Sequence, residues 1–295
     1  MNYLQNFKKL DIKTKKMISG FDSGNFKSAF KWRWLEFAEF KEYEAWEDSK
    51  HIDWLVSARE QRLLTKKYSV DKSIKVFFVL DVWKDMDFWF EKKKLDTLIE
   101  IFFLLWLSSV ENYDEVWALI FSENNYKFLD TKKWKAHIFE IYKNILDINW
   151  NNQKLKDKKN DFNLQDIKSV TSFLTKIKLK DTLIFILTDK MDLIWDKNLK
   201  VLSLKNDIIY VNIFDNFENT LDTKTENSWI IWLLWDTKEQ IFIDNLDKEK
   251  KSEYVDLRNQ KIKWFSNYLN TMWIGYLKID NLMNVYKEFF YYFKK

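Results

Sequence analysis

A doubly wound, mostly parallel α/β sheet is the fold class that this 295-residue sequence predicts. Three observations predict it. Continuous apolar runs, "IKVFFVLD" from Ile74, "TLIFILTD" from Thr182 and "DIIYVNIFD" from Asp207, read as strands buried on both faces, and each ends in an aspartate. Segments with helical spacing separate the runs, which is the pattern of parallel strands joined by crossover helices. The length accommodates one large core with an appended segment. The expected organisation is therefore an N-terminal segment, residues 1–73, packed on a main domain, residues 74–295, that includes a late β-hairpin.

Taken in order, the chain opens with helical spacing over Tyr3 to Ile18, a loop around Gly20 and Gly24, and a turn-rich acidic stretch from Lys31. The strand from Ile74 to Asp81 is followed by "KKKLDTLIEIFFLLWLSS", read as a buried helix: it carries charge and is too short in its apolar part to cross a bilayer. "EVWALIFS" is a second strand, Tyr126 to Leu129 a short extended piece, and Lys135 to Leu146 a helix. A Lys/Asn/Asp-rich loop from Asn149 to Asp161 leads to a helix over Gln165 to Ile177 and the strand ending in Asp189. A short helix near Lys197 to Leu204 precedes the strand ending in Asp215. A hairpin over Trp229 to Ile243 turns at "DTKE", and a long helix from Lys248 to Leu269, a strand "IGYLKI" and a helical "NLMNVYKEFFYYF" complete the pattern.

Composition removes several function classes. No cysteine is present, which excludes disulfides, thiolate zinc sites and a cysteine nucleophile, and the two histidines, His51 and His137, lie far apart. A formal charge of +4 with acids and bases interleaved gives no strong field for nucleic acid. The lysine run "KLKDKK" from Lys154 lacks interleaved aromatic residues. The first sixteen residues carry charge where a secretory signal has its apolar region, so a cytoplasmic protein without membrane insertion is expected. No Gly-x-Ser-x-Gly elbow or Walker-type loop is visible.

One feature of the composition is anomalous. Sixteen tryptophans stand beside three glycines and no proline, in a chain rich in Lys, Asn, Ile and Phe. Abundant Lys, Asn, Ile and Phe follow from an AT-rich genome, whereas tryptophan's standard codon, UGG, is rich in G. Turns that need positive φ or close backbone approach ordinarily select glycine. The expectation is that most of these tryptophans occupy glycine positions, written from UGA codons that the organism reads as glycine.

The residues that can carry chemistry are acidic. In a parallel sheet, ligands bind beyond the carboxyl ends of the strands at the switch point. Asp81, Ser122, Asp189 and Asp215 each end a predicted strand, so all four are expected along one edge, and Asp85, four residues after Asp81 in the following loop, can bend back to it. Oxygen ligands without histidine or cysteine suit a hard cation such as Mg²⁺, with Asp81, Asp85 and Asp189 as the candidate ligands. Acidic residues after strands also serve as helix caps and loop formers, and both readings stand at this point. Glu36 and Glu39 offer an acid–base pair, or a solvated, salt-bridged face.

With tryptophan read as glycine, the stretch Lys31 to Arg59 resembles the hallmark of a bacterial family, domain of unknown function 58, which has a von Willebrand factor A-like domain. Its pattern "GxGxEFxExRxYxxGDD" maps onto Trp32 to Asp48, with Trp32, Trp34 and Trp46 at glycine positions, Glu36, Phe37, Glu39, Tyr43 and Asp48 matched, and Lys41 in the arginine place. "RxIDWxxxAR" maps onto Lys50 to Arg59, matching Asp53, Trp54 and Arg59; Trp54 falls where the family carries tryptophan. Trp117 in "EVWALIFS" and Trp134 in "KKWKAH" fall at further glycine places, and "DNFENTL" resembles the post-strand acidic segment.

The resemblance implies an adhesion-type metal motif, Asp-x-Ser-x-Ser, completed by a threonine and a later aspartate. Here the motif reads Asp81, Trp83, Asp85, so Trp83 is another glycine candidate; Gln165 falls near the threonine's place and Asp189 at the last aspartate. It also implies a partner, a MoxR-type AAA+ ATPase, and a non-enzymatic, chaperone-like or assembly role. The alternative is a Mg²⁺-dependent phosphohydrolase using the strand-end aspartates, and a third reading is an oligomeric scaffold.

Overall fold

The computed structural model describes residues 36–44, 52–69, 75–87, 92–111, 114–122, 125–130, 135–150, 166–191, 196–216, 231–234, 240–243, 248–280 and 284–294. The expected helix over Tyr3 to Ile18, the loop around Gly20 and Gly24, and Gln165, His51, Asp48, Trp32, Trp34, Trp46 and Trp134 lie outside them.

The centre of the molecule is a six-stranded sheet of mixed direction. Its strands are β3 (Lys75–Asp81), β4 (Glu115–Phe121), β5 (Tyr126–Leu129), β6 (Thr182–Thr188), β7 (Asp207–Phe214) and β10 (Gly275–Asp280), in the spatial order β10-β7-β6-β3-β4-β5. All neighbours are parallel except β5, which runs antiparallel to β4 at the edge. The chain adds β4 on one side of β3, then crosses to add β6, β7 and β10 on the other. The strand order therefore reverses at β3, and the carboxyl ends of β3 and β6 flank the switch point.

The apolar runs form strands because both faces are covered. Val76, Phe78 and Leu80 point to one core with Phe185 and Val211, under helix α2 (Lys94–Glu111), α3 (Lys135–Trp150) and α7 (Val285–Lys294). Phe77, Val79, Ile184 and Tyr210 point to the opposite core, under α4 (Ile167–Lys176), α5 (Lys197–Ser203) and α6 (Lys248–Thr271). Alternate residues of one strand feeding two cores is the period-two consequence of a doubly covered sheet. Each fully buried Phe or Leu contributes about 1.5–3 kcal/mol relative to exposure. Phe78 stacks on Phe185 at 5.5 Å and meets Phe102 of α2 edge-on at 5.1 Å, which fixes the register of helix over sheet.

Element ends follow local chemistry. Asp166 caps α4 through a reciprocal capping box with Ser169. Asp196 caps α5 by accepting from the Asn198 N–H. Helix α6 ends in a Schellman arrangement: the Trp273 N–H donates to the Asn270 carbonyl at 3.1 Å and the Ile274 N–H to the Leu269 carbonyl at 3.1 Å, with Ile274 and Leu269 both buried. The residue at the left-handed position of this motif, which glycine ordinarily fills, is Trp273, with φ of 60° and a side chain 92% exposed. Gly275 shows the complementary need for close approach, since a Cβ there would lie 1.8 Å from the Tyr292 hydroxyl oxygen.

The expected hairpin is present as β8 (Ile231–Leu234) paired antiparallel with β9 (Gln240–Ile243). Helix α3 runs four residues beyond its expected end at Leu146. The N-terminal stretch differs more. Where turns were expected, Glu36–Glu42 forms β1, paired antiparallel with β2 (Leu64–Ser69), and helix α1 (Trp54–Glu60) lies between them. The strand forms because "EFAEFKE" sets apolar residues among charges in a segment that meets a β-rich partner, and a register shift between Phe37 and Glu39 absorbs the irregular spacing.

Candidate functional site at the strand-carboxyl rim

The ends of β3 and β6 build the site. Asp81, the last residue of β3, is 1% exposed. One of its carboxylate oxygens accepts the Trp83 N–H at 3.2 Å, and the other accepts the Thr188 hydroxyl at 2.6 Å. Thr188 is the last residue of β6, so this bond ties the two strand ends across the switch point.

The turn after β6 is held from β7. The Thr188 hydroxyl oxygen accepts the Lys190 N–H at 3.0 Å. The Asn212 side-chain amide donates to the Thr188 carbonyl at 3.2 Å and to the Lys190 carbonyl at 3.1 Å, and the Tyr210 hydroxyl donates to the Lys190 carbonyl at 2.7 Å. Asn212 is fully buried within an otherwise apolar strand, and these bonds explain its place. The Tyr276 hydroxyl of β10 reaches the Asn212 side-chain oxygen at 3.4 Å.

Two ammonium groups neutralise the rim. Lys94 Nζ, at the start of α2, lies 2.7 Å from Asp189 Oδ2, with side chains 3% and 7% exposed respectively. Lys190 Nζ pairs with Asp85, lies 3.7 Å from Asp189 Oδ1 and sits 5.3 Å from the centre of the Trp83 ring. Asp85, in the short 3₁₀ turn Lys84–Asp87, is the outward member, with its side chain 44% exposed.

Burial pushes the Asp81 carboxyl up to about 7, and the nearby Asp189 charge adds to this, against the Thr188 hydroxyl and the Lys190 ammonium. Burial acts upward on Asp189 too, but Lys94 and Lys190 outweigh it and hold that carboxyl below the usual range. For Lys190, burial acts downward and is overcome by Asp189 and Asp85, so its ammonium is held above its ordinary value.

Asp81, Asp85 and Asp189 therefore meet around Lys190, at the switch point, as electrostatic neighbours. As arranged, their donors do not fit a divalent ion. Both Asp81 oxygens are engaged by protein donors, Asp189 Oδ2 is held by Lys94 and Asp85 by Lys190. Asp189 Oδ1 is buried without a hydrogen bond and has the Lys190 ammonium 3.7 Å away, so a single buried carboxylate oxygen is left open, too few for a divalent ion. Among the described residues, no group of three or more His, Asp or Glu side chains is arranged to hold a metal.

Ser122 and Asp215 follow β4 and β7 and so lie along the same sheet edge, as expected, but outside the cluster around Lys190; the remaining candidates lie elsewhere. The Ser122 N–H donates to the Asn125 carbonyl at 2.8 Å, forming the turn into β5. Asp215 follows β7 and is 1% exposed, and His137 is buried in α3. Glu36, Phe37 and Glu39 lie in β1, and the Tyr43 N–H continues that ribbon by donating to the Leu63 carbonyl at 2.9 Å. Asp53 caps α1 by accepting from the Leu55 and Val56 N–H groups at 3.1 and 3.2 Å. Trp54 and Arg59 on that helix are exposed. The Trp117 indole N–H donates to Asp130 at 3.1 Å, whereas the Trp83 indole nitrogen is buried with no hydrogen-bond partner.

Thr188, Lys94, Lys190, Tyr210 and Asn212 are site residues that sequence reasoning missed. Asn212 had a local signal, as the single amide inside "DIIYVNIF". Lys94 had a weaker one, because a lysine triplet opens a helix where acids are favoured.

Fold and rim together define a doubly wound α/β domain whose strand-carboxyl edge carries a lysine-compensated carboxylate cluster. The model of the family described as "Protein of unknown function DUF58" matches residues 39–245, and the chain belongs to that family. No curated protein matches the chain. Among solved structures, it is similar to the crystal structure of an uncharacterized membrane spanning protein from Vibrio fischeri, at 10% identity, covering 68% of this chain and 99% of that one with a TM-score of 0.23. No helix among the described residues is long and apolar enough to cross a membrane.

Proposed function

We propose that the chain is a non-enzymatic interaction domain of the von Willebrand factor A-like kind, working in the cytoplasm with a MoxR-type AAA+ ATPase in a chaperone-like or assembly role. The observation that carries this reading is the layering of the rim. A buried set, Asp81, Thr188, Asp189 and Lys94, lies beneath an outward ion pair, Asp85 with Lys190, at the edge where sheets of this topology bind ligands. The buried groups are committed to one another, which suits a fixed platform better than a centre that must exchange protons or a nucleophile at each turnover. A carboxylate of the partner then exchanges with Asp85 on Lys190, an event that needs only one half-exposed side chain to swing away.

The test is a binding titration against a MoxR-type AAA+ ATPase from the same organism. Lys190→Ala is expected to weaken binding by about tenfold or more, equivalent to about 1.4 kcal/mol. Asp85→Ala, which removes the competing carboxylate, is expected to leave affinity equal or tighter. Unchanged affinity in Lys190→Ala contradicts the assignment of the rim.

The tryptophan anomaly bears on the same surface, and we infer that UGA is read as glycine at most of these positions. Trp273 at the left-handed position of a helix terminus and the buried Trp83 indole nitrogen without a hydrogen-bond partner support this; the hydrogen-bonded Trp117 indole speaks for tryptophan at that one site. The intact mass of protein made in its native host decides between the two residues.

A further inference from the structure

The placement of Lys94 is chemically unfavourable unless it has a task. It opens an 18-residue helix, where the exposed N–H groups favour anions, and it is 3% exposed, where an ammonium loses its hydration. The two lysines before it meet neighbouring acids at the surface, Lys92 with Glu100 at 2.9 Å and Lys93 with Asp87 at 3.0 Å. Lys94 instead reaches inward to Asp189, across 95 residues of sequence. Lys190 approaches the same carboxylate from the other side while pairing with Asp85.

We propose that Lys94 and Lys190 are tethered cations that take the place of a divalent ion, so that the rim is assembled and charge-balanced without metal. Two ammonium groups offset the charge that converging aspartates bring to a buried switch point, and being covalently attached they do so at any cation concentration. The rim is thus permanently formed, and any docking on it is insensitive to chelation. This rests on the proposed function only for the location of the rim. The experiment uses the isolated full chain without partner, so its failure and the failure of the ATPase reading are distinguishable.

The test is calorimetric and thermal titration of the chain with MgCl₂ and MnCl₂, in the wild type, in Lys94→Met and in the Lys94→Met/Asp189→Asn double variant. For the wild type, no saturable binding and an unchanged melting temperature on adding either cation or EDTA are expected. Lys94→Met, which leaves the buried Asp189 carboxylate only the more distant Lys190 ammonium, is expected to lower the melting temperature, with part of the loss recovered by Mn²⁺. The double variant, with a neutral pair, is expected to regain stability without cation. One-to-one Mg²⁺ or Mn²⁺ binding by the wild type that raises its melting temperature overturns the proposal, as does a Lys94→Met protein with wild-type stability. Should Lys94→Met fail to fold, the wild-type titration and the double variant still decide the matter.

Discussion

Thr188 donates its hydroxyl to Asp81 at 2.6 Å, joining the ends of β3 and β6 across 107 residues of sequence. Both side chains are buried, so the bond lies inside the switch point, out of contact with bulk solvent. Thr188→Val keeps the shape and removes both the donor to Asp81 and the acceptor of the Lys190 N–H. Leaving a buried carboxyl oxygen without its partner is expected to lower unfolding stability by about 1–3 kcal/mol. Urea denaturation reads this directly, and wild-type stability in the variant shows that the bond does not matter.

Asp81 also predicts a pH dependence. Its folded carboxyl titrates at about 7, above the ordinary 3.8. A carboxyl raised on folding holds its proton more tightly in the native state. Its contribution is therefore most favourable at acid pH and declines as pH rises between those two values. Asp81→Asn removes this titration. The difference in stability, variant minus wild type, is expected to grow in favour of the variant as pH rises through that window, measured by denaturation across a pH series. A difference independent of pH contradicts the raised carboxyl.

At the end of α6, Trp273 adopts φ of 60° with its ring almost wholly in solvent. Trp273→Gly relieves left-handed strain without removing a buried contact, and a gain of about 1–2 kcal/mol is expected. Equilibrium denaturation of the two proteins checks it; a loss of stability contradicts the glycine-type assignment of this position.

Much of the sheet was legible in the sequence because strands buried on two faces leave unbroken apolar runs, and "IKVFFVLD" and "TLIFILTD" end where β3 and β6 end in structure to within one residue. The aspartates closing those runs pointed to the rim for the same reason: a parallel sheet turns all its carboxyl ends one way. The ribbon of β1 and β2 was hidden because "EFAEFKE" and "LTKKYS" alternate imperfectly and carry as many charges as a loop. Lysines were hidden at the rim for a different reason. Lys94 and Asp189 are partners only in three dimensions, and nothing within a turn of either residue marks the pairing.

The most direct measurement is a crystal structure of the chain grown or soaked in MnCl₂, with anomalous data. A lysine-compensated rim predicts Lys94 Nζ on Asp189, Lys190 Nζ on Asp85 and no anomalous peak among Asp81, Asp85 and Asp189. A peak at ordinary hard-cation distance from these carboxylates, on the order of 2 Å, with the lysines displaced, contradicts it.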